Sequence, residues 1–206
     1  VLANVIGRRL NHPLANPMLI CLVLMIALLL VLDIDYDAYN QSARYITYLL
    51  TPATACLALP LYRQIQKLRE YPLAIAVGIV TGVMVNALCV TAVALLFRLG
   101  HSDYVTLLPK SVTGAVGMPL AEELGGIGGI TMAAISVTGL LGNILGEQIL
   151  RLFRVTDRVA KGVALGCGSH AFGTVRALEM GEVEGAMASL SLVITALLTV
   201  VIAPLL

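Results

Sequence analysis

The stretch from Pro72 to Phe97 constrains the fold of this chain more than any other feature. It is strongly apolar and contains no charged residue. A helix that crosses a bilayer needs about 20 consecutive apolar residues, so this stretch is long enough to do so. Gly185–Leu206 is likewise uncharged, Gly126–Leu150 is apolar until Glu147, and Pro17–Leu32 is slightly short but can be extended from Leu14. The sequence therefore predicts an all-α integral membrane protein, with residues 1–206 forming a single polytopic membrane domain.

The composition excludes several other classes of protein. Hydrophobic residues make up 59% of the chain and charged residues 12%, which is about half the charged share of a soluble domain. The net charge of +1 gives no reason to expect nucleic-acid binding. The four cysteines lie in apolar runs without C-x-x-C spacing, so we interpret them as small hydrophobic residues. We expect no metal and no cofactor. We also expect no catalysis, because the chain has no G-x-S-x-G motif.

Three shorter apolar segments are each interrupted by proline, glycine or charge: Tyr45–Tyr62, Tyr104–Leu120 and Gly162–Gly173. Backbone groups freed by such a break are tolerated at membrane depth only inside protein or facing a cavity. We therefore predict broken or re-entrant helices of the secondary-transporter type. For the first segment, a simple kink in a crossing helix remains the alternative.

The chain also contains an internal repeat. Thr54–Leu61 aligns without gaps to Thr113–Leu120 through a shared Thr-x5-Pro-Leu pattern. Thr81–Asn86 aligns to Thr138–Asn143 through Thr-Gly-x3-Asn. These matches predict repeat units at about 45–97 and 104–150, followed by a re-entrant segment and a span within 162–206.

The basic loops predict how the two units are oriented. Lysines and arginines favour the cytoplasmic side, and they cluster before the Pro72 span and after the Gly126 span. The two spans would then run in opposite directions, which is the inverted-repeat plan of secondary transporters. This layout places Arg8 and Arg9 outside, against the rule. The conflict disappears if Tyr45–Tyr62 crosses the membrane, so that alternative stays open.

Two basic residues lie in the broken segments. A charge at the centre of a membrane helix costs about 2.5–3.5 kcal/mol on the insertion scale, so Lys110 should be buried against a partner or a wet cavity. It could bind a carboxylate, or it could reach the interface from a short loop. Arg176 could hold a carboxylate through two parallel bonds, or form an interfacial ion pair with Glu179. His170 could carry a coupled proton, or be a satisfied buried histidine.

We predict that a solute binds where the broken segments meet, close to the bilayer midplane. The candidate binding residues are Thr51, Thr54, Lys110, Ser111, Thr113, Ser169, His170, Thr174, Arg176 and Glu179. Pro52 and Pro109 would support the site by breaking the helices. Asn86 and Asn143 would either satisfy the broken backbone or bond helix to helix. The pairs Gly78-x3-Gly82 and Gly142-x3-Gly146 also predict close helix contacts.

Several motifs together carry a resemblance to a known family. The most specific are Pro109-Lys110-Ser111-Val112-Thr113 and Gly173-Thr174-Val175-Arg176-Ala177-Leu178-Glu179-Met180-Gly181-Glu182. With Asn16-Pro17, Pro60-Leu61-Tyr62 and Gly168-Ser169-His170, they make the chain resemble the LrgB/CidB family of multi-pass bacterial inner-membrane proteins over its whole length. Thr51 departs from the glycine usual in that family. Members usually have one more N-terminal span, so we expect an earlier segment.

The resemblance implies two competing functions. One is antiholin-like control of murein hydrolase export and autolysis, without solute transport. The other is a membrane carrier for small monocarboxylates of the glycolate, glycerate, pyruvate or lactate type, since plastid relatives resemble glycolate/glycerate translocators. An intramembrane Lys110 and broken helices favour the carrier, because a holin partner needs neither. We further expect an LrgA/CidA-type membrane partner and a homo-oligomer, most simply a dimer.

Overall fold

A computed structural model describes residues 17–49, 52, 62, 69–70 and 72–206. The chain divides into two compact units, Val1–Cys56 and Leu57–Leu206. The first contains helix α1 (Pro17–Val31) and helix α2 (Tyr36–Tyr48). Helix α1 has 15 residues, fewer than the length expected of a span. Helix α2 is polar, so no apolar run predicted it.

The first predicted broken segment, Tyr45–Tyr62, lies largely outside the described residues. Thr51 and Thr54 belong to that part, so their predicted roles stay predictions. The same holds for the first half of the repeat unit that begins there.

The second unit contains the longer helices. In chain order they are α3 (Pro72–Phe97), α4 (His101–Leu107), a 3-10 turn (Leu108–Ser111), α5 (Gly114–Glu123), α6 (Gly128–Leu152), α7 (Arg158–Met180), α8 (Glu182–Ile202) and a 3-10 turn (Ala203–Leu205). Within the described residues, three helices are long and apolar enough to cross a membrane: Pro72–Phe97, Gly128–Leu152 and Glu182–Leu205. The all-α prediction is confirmed for this part of the chain, and the α3 span has the predicted bounds.

Helices α4 and α5, with the 3-10 turn between them, form a helical hairpin, which we call the first hairpin (His101–Glu123). Its two ends lie side by side, because Ser102 Oγ donates to Gly125 O at 3.0 Å. At the same end, Thr106 Oγ1 accepts a hydrogen bond from Ile127 N at 2.8 Å. The segment therefore turns back at the 3-10 turn and leaves from the end at which it entered.

Helix α7 also reverses, and we call it the second hairpin. Its backbone leaves helical geometry at Ser169 and His170. Before that point the chain runs antiparallel to α6, since Leu165 packs against Gly146 and Ser169 packs against Gly142. After it the chain runs parallel to α6, because Arg176 pairs with Glu147 near the end of that helix. The outgoing limb is thus 158–168 and the return limb 171–180.

The outgoing limb fixes the relative direction of α3 and α6. It runs parallel to α3, because Val163 faces Gly78 and Cys167 faces Gly82. It runs antiparallel to α6, as its contacts with Gly142 and Gly146 show. Helices α3 and α6 are therefore antiparallel, and the two hairpins approach them from opposite ends.

Glycines make this packing possible. In both predicted G-x3-G pairs, every glycine faces the outgoing limb or the tip of the second hairpin. A β-carbon at Gly82 would lie 3.1 Å from Cys167 Cβ, and one at Gly146 would lie 2.6 Å from Leu165 Cδ2. The predicted close helix contacts are confirmed, since side chains at these positions would push the hairpin away.

The largest group of core residues joins α3, the outgoing limb and α8. It contains Ile75, Ile79, Val163, Cys167, Ala186, Met187 and Leu190. Helix α8 is the most enclosed of the three long helices. The second hairpin is therefore held between three helices, which keeps its tip in a defined position.

Candidate functional site

The tip of the first hairpin is a break in the helix that the sequence encodes with Pro109. Proline has no backbone donor, and Pro109 adopts φ −85° and ψ 19° within the 3-10 turn. Asn86 Nδ2 on α3 donates to Leu108 O, the first carbonyl of this turn, at 3.1 Å. A side chain of a long helix is thus hydrogen-bonded to the backbone of the hairpin tip.

Lys110 lies at this tip, where its hydrogen-bond partners among the described residues are neutral. Its Nζ donates to Asn86 Oδ1 at 2.7 Å and lies 3.5 Å from Ser111 Oγ. Ser111 Oγ in turn donates to Asn86 Oδ1 at 3.0 Å. The lysine is half-buried, and no carboxylate within the described residues forms an ion pair with it. The tip therefore carries a positive charge that no acid here neutralises.

The tip of the second hairpin is the strained turn at His170. This residue has φ 41° and ψ −131°, a backbone conformation that costs a residue other than glycine about 1–3 kcal/mol. His170 is 2% exposed and donates from Nε2 to Ile135 O at 2.9 Å. Thr174 Oγ1 donates to His170 O at 3.0 Å. These bonds hold the turn in place.

Asn143 donates a hydrogen bond to the backbone of the second hairpin, as Asn86 does to the first. It lies on α6, and its Nδ2 donates to Phe172 O at 2.8 Å, just beyond the reversal. The two asparagines occupy matching positions of the sequence repeat. Each asparagine bonds to a backbone carbonyl of a hairpin, and the choice between the two predicted roles stays a prediction.

The two tips approach each other beside α6. The 3-10 turn of the first hairpin contacts the second hairpin. Ile135 touches both, because its carbonyl accepts from His170 and its side chain packs against Gly117. Thr113, half-buried at the start of α5, accepts from Gly117 N at 2.8 Å through its carbonyl. The hydroxyls of Ser111 and Ser169 are buried near these tips.

Arg176 lies outside this meeting point, on the return limb. It donates from Nη1 to Glu179 Oε2 at 2.7 Å and from Nη2 to Glu147 Oε2. Arg151 Nη2 also donates to Glu147, at 2.5 Å from Oε1. Two cations and two carboxylates therefore balance in one cluster. The pairing with Glu179 matches the predicted ion pair, whereas Glu147 was not predicted because it is distant in sequence.

The candidate residues thus fall into three groups. Lys110, Ser111, Pro109 and Asn86 form the first tip. Ser169, His170, Thr174 and Asn143 form the second. Arg176 and Glu179 belong to the charged cluster on the return limb. Within the described ranges, no group of three or more His, Cys, Asp or Glu residues could hold a metal ion.

Comparison with known proteins gives a consistent result. Residues 1–206 match the profile of the LrgB-like family. The chain is 38% identical over 204 residues to the holin-like protein CidB of Staphylococcus aureus, covering 99% of this chain and 89% of that protein. It is 38% identical to the CidB of Staphylococcus epidermidis, covering 95% and 86% of the two chains. It is 37% identical to the antiholin-like protein LrgB of Bacillus cereus, covering 92% and 82%. No solved structure matches the chain.

Proposed function

The chain belongs to the LrgB-like family, and from this premise we propose that it is a membrane carrier for small monocarboxylates of the glycolate, glycerate, pyruvate or lactate type. The observation that carries the proposal is Lys110, a half-buried cation at a hairpin tip, whose hydrogen-bond partners among the described residues are Asn86 and Ser111. Charges within membrane segments are expensive and are retained mainly where they bind or move a charged species. A carboxylate is the natural counter-ion.

The hairpins supply the framework that a carrier needs. Secondary transporters place their site between repeats, at broken helices near the bilayer midplane. Here each long helix, α3 or α6, is followed by a hairpin whose backbone accepts a hydrogen bond from an asparagine of that helix. This pattern, with α3 and α6 antiparallel, supports an inverted repeat made of re-entrant hairpins. We keep the repeat units of the sequence, about 45–97 and 104–150, and propose that they are related by a pseudo-twofold axis in the membrane plane.

The remaining candidates take roles according to their distance from the tips. Ser111, Thr113 and Ser169 would offer hydroxyl groups to the hydroxyl or keto group of the solute. Arg176 is already bonded to two carboxylates, so a solute would have to displace Glu147 or Glu179 to reach it. We therefore assign the primary anion contact to Lys110 and a secondary role to Arg176.

The test is transport of labelled glycolate, glycerate, pyruvate and lactate into liposomes that contain the purified protein. Losing a hydrogen bond to a charged group costs about 1.5–3 kcal/mol, which corresponds to about a ten- to hundredfold loss of affinity. Lys110→Gln should lower transport by that factor. Lys161→Gln, at the base of the second hairpin, removes the same charge away from the tips and should transport normally. Normal transport by Lys110→Gln would refute the proposal.

The names of the relatives favour a second function. CidB and LrgB are named holin-like and antiholin-like, which supports a regulator of murein hydrolase export without solute transport. Such a regulator would restore normal autolysis in a strain that lacks its own homologue, and Lys110→Gln would restore it equally well. A carrier whose transport matters for autolysis would lose both activities with Lys110.

Assembly and location complete the proposal. We propose a multi-pass protein of a bacterial inner membrane, which forms a homodimer and acts with an LrgA/CidA-type partner. Co-purification with and without that partner, followed by transport with each preparation, tests this part. Full activity from a monomer alone would contradict it.

A further inference from the structure

A cavity lies where helix α3 ends and the first hairpin begins. Its volume is about 540 Å³, within the range of small-molecule sites. The last turns of α3 form one wall and the start of α4 forms the other, and Tyr104 Oη lies 3.2 Å from Thr91 Oγ1 between them. None of the lining residues belongs to the three groups of candidate residues described above. The cavity is therefore a separate place at which a ligand could bind.

The lining of this cavity divides into an apolar part and a basic part. The apolar part consists of Ala94, Leu95, Leu99 and Leu206. The basic part consists of Arg98 and His101. Among the described residues, no acidic side chain lines the cavity, and neither basic side chain forms an ion pair. The cavity thus offers an arginine charge and a ring N–H beside an apolar surface.

The two parts lie at different depths along α3. The helix is uncharged over its 26 residues, and Arg98 is the first charged residue after it. The end of such an uncharged run marks the boundary between the hydrocarbon core and the headgroups of a bilayer. Leu95 therefore lies at the depth of acyl chains, and Arg98 lies at the depth of lipid phosphates.

The backbone of Arg98 shows that a glycine would suit this position better. Arg98 has φ 52°, and Leu99 N donates to Ala94 O at 2.9 Å, which is the hydrogen bond of a helix end where glycine is usual. A residue with a β-carbon is strained in this left-handed conformation. What arginine adds here is its side chain, which lines the cavity.

We propose that this cavity binds one anionic phospholipid. The guanidinium of Arg98 can donate two parallel hydrogen bonds to a phosphate, and the ring of His101 can donate another. One acyl chain would lie along Leu95 and Leu99. A soluble anion would leave this apolar part without a partner, and the charge of Arg98 favours a lipid with net negative charge over a zwitterionic one. The proposal does not depend on the carrier function.

A tryptophan reporter measures this binding at the cavity itself. The chain contains no tryptophan, so Leu95→Trp provides a single fluorophore at a side chain that is 76% exposed. The variant is reconstituted into vesicles that contain brominated phosphatidylglycerol or brominated phosphatidylcholine, whose bromines quench a neighbouring indole. One basic residue near a membrane surface changes lipid binding about fivefold, so the anionic lipid should be preferred by about that factor. Leu88→Trp, on the same helix and 63% exposed, should show no preference.

Arg98→Gly in the Leu95→Trp background should remove the preference while relieving the backbone strain. Arg154→Gly is the matched control, because Arg154 has φ 53° at the end of α6 and does not line this cavity. That variant loses the same charge and should keep the preference. Should Arg98→Gly not fold, Arg98→Asn removes the charge with a residue that also tolerates this conformation.

Three results would overturn the proposal. Equal quenching of Leu95→Trp by the two lipids would show that the cavity does not select an anionic headgroup. Equal loss of preference in Arg98→Gly and Arg154→Gly would show that the lipid responds to the net charge of the protein. Relief of the quenching by inorganic phosphate would identify a site for soluble anions in place of a lipid site.

Discussion

Gly142→Ala should disrupt the tip of the second hairpin. A β-carbon at this position would overlap both Oγ and Cβ of Ser169. The hydroxyl can rotate away, but Cβ is fixed by the backbone, so the tip itself must move. Overpacking of this kind costs about 1–3 kcal/mol. Because His170 already holds a strained conformation next to Ser169, the turn has little freedom to adapt.

Gly129→Ala is the matched control on the same helix. Nothing lies within 4 Å of a β-carbon at Gly129. Alanine gains about 1 kcal/mol of helix propensity at an interior position such as Gly142 and less at Gly129, the second residue of α6, so the difference between the variants is a lower limit on the overpacking cost. In a chain of this size, each kcal/mol lowers the Tm by about 2–4 °C. We therefore expect Gly142→Ala to melt below Gly129→Ala, by up to about 12 °C.

Thermal unfolding in mild detergent, followed by size-exclusion fluorescence, measures this difference. Two second-site substitutions at Ser169 test whether the overlap causes the difference in Tm. Ser169→Gly removes both overlapping atoms and should restore the Tm of Gly142→Ala, relative to Ser169→Gly alone. Ser169→Ala leaves Cβ in place and should not. Equal melting of Gly142→Ala and Gly129→Ala would refute the described packing of the hairpin tip on α6.

Two further predictions concern the second hairpin. Gly82→Cys should form a disulfide with Cys167, because a β-carbon at Gly82 lies 3.1 Å from Cys167 Cβ, close to the 3.5–4.5 Å of disulfides. Mapping the bond by mass spectrometry, with Cys167→Ser as the control, checks it; no bond after oxidation would contradict the contact. Arg176→Ala should leave Glu147 and Glu179 without their shared cation and weaken the return limb by about 1 kcal/mol or less, because the cluster is partly exposed. A double-mutant cycle with Glu147→Gln measures the coupling, and additive effects would show that the pair does not stabilise the limb.

The sequence predicts the long helices well, because their signal is local. The uncharged run of α3 stops at Arg98, and the helix stops with it. The break of the first hairpin was predicted because Pro109 interrupts an apolar segment. Composition and local breaks therefore suffice for these elements.

The second reversal could not be assigned to a residue from sequence. It occurs at His170, a non-glycine residue with positive φ, although Gly166, Gly168 and Gly173 lie nearby. Tertiary hydrogen bonds, such as the one from His170 Nε2 to Ile135 O, hold this residue in its strained conformation. Long-range contacts also explain why Glu147 was missed as a partner of Arg176.

The length of α3 links this molecule to the thickness of its membrane. Its 26 residues are uncharged throughout, and at 1.5 Å per residue they extend about 39 Å, against about 30 Å for a typical hydrocarbon core. Such a mismatch is accommodated by tilting the helix or thickening the surrounding lipid. Asn86 lies on this helix and bonds to Lys110. The helix that tilts to match the bilayer is therefore the helix that positions Lys110. We expect the position of Lys110 to differ between bilayers of different lipid chain length.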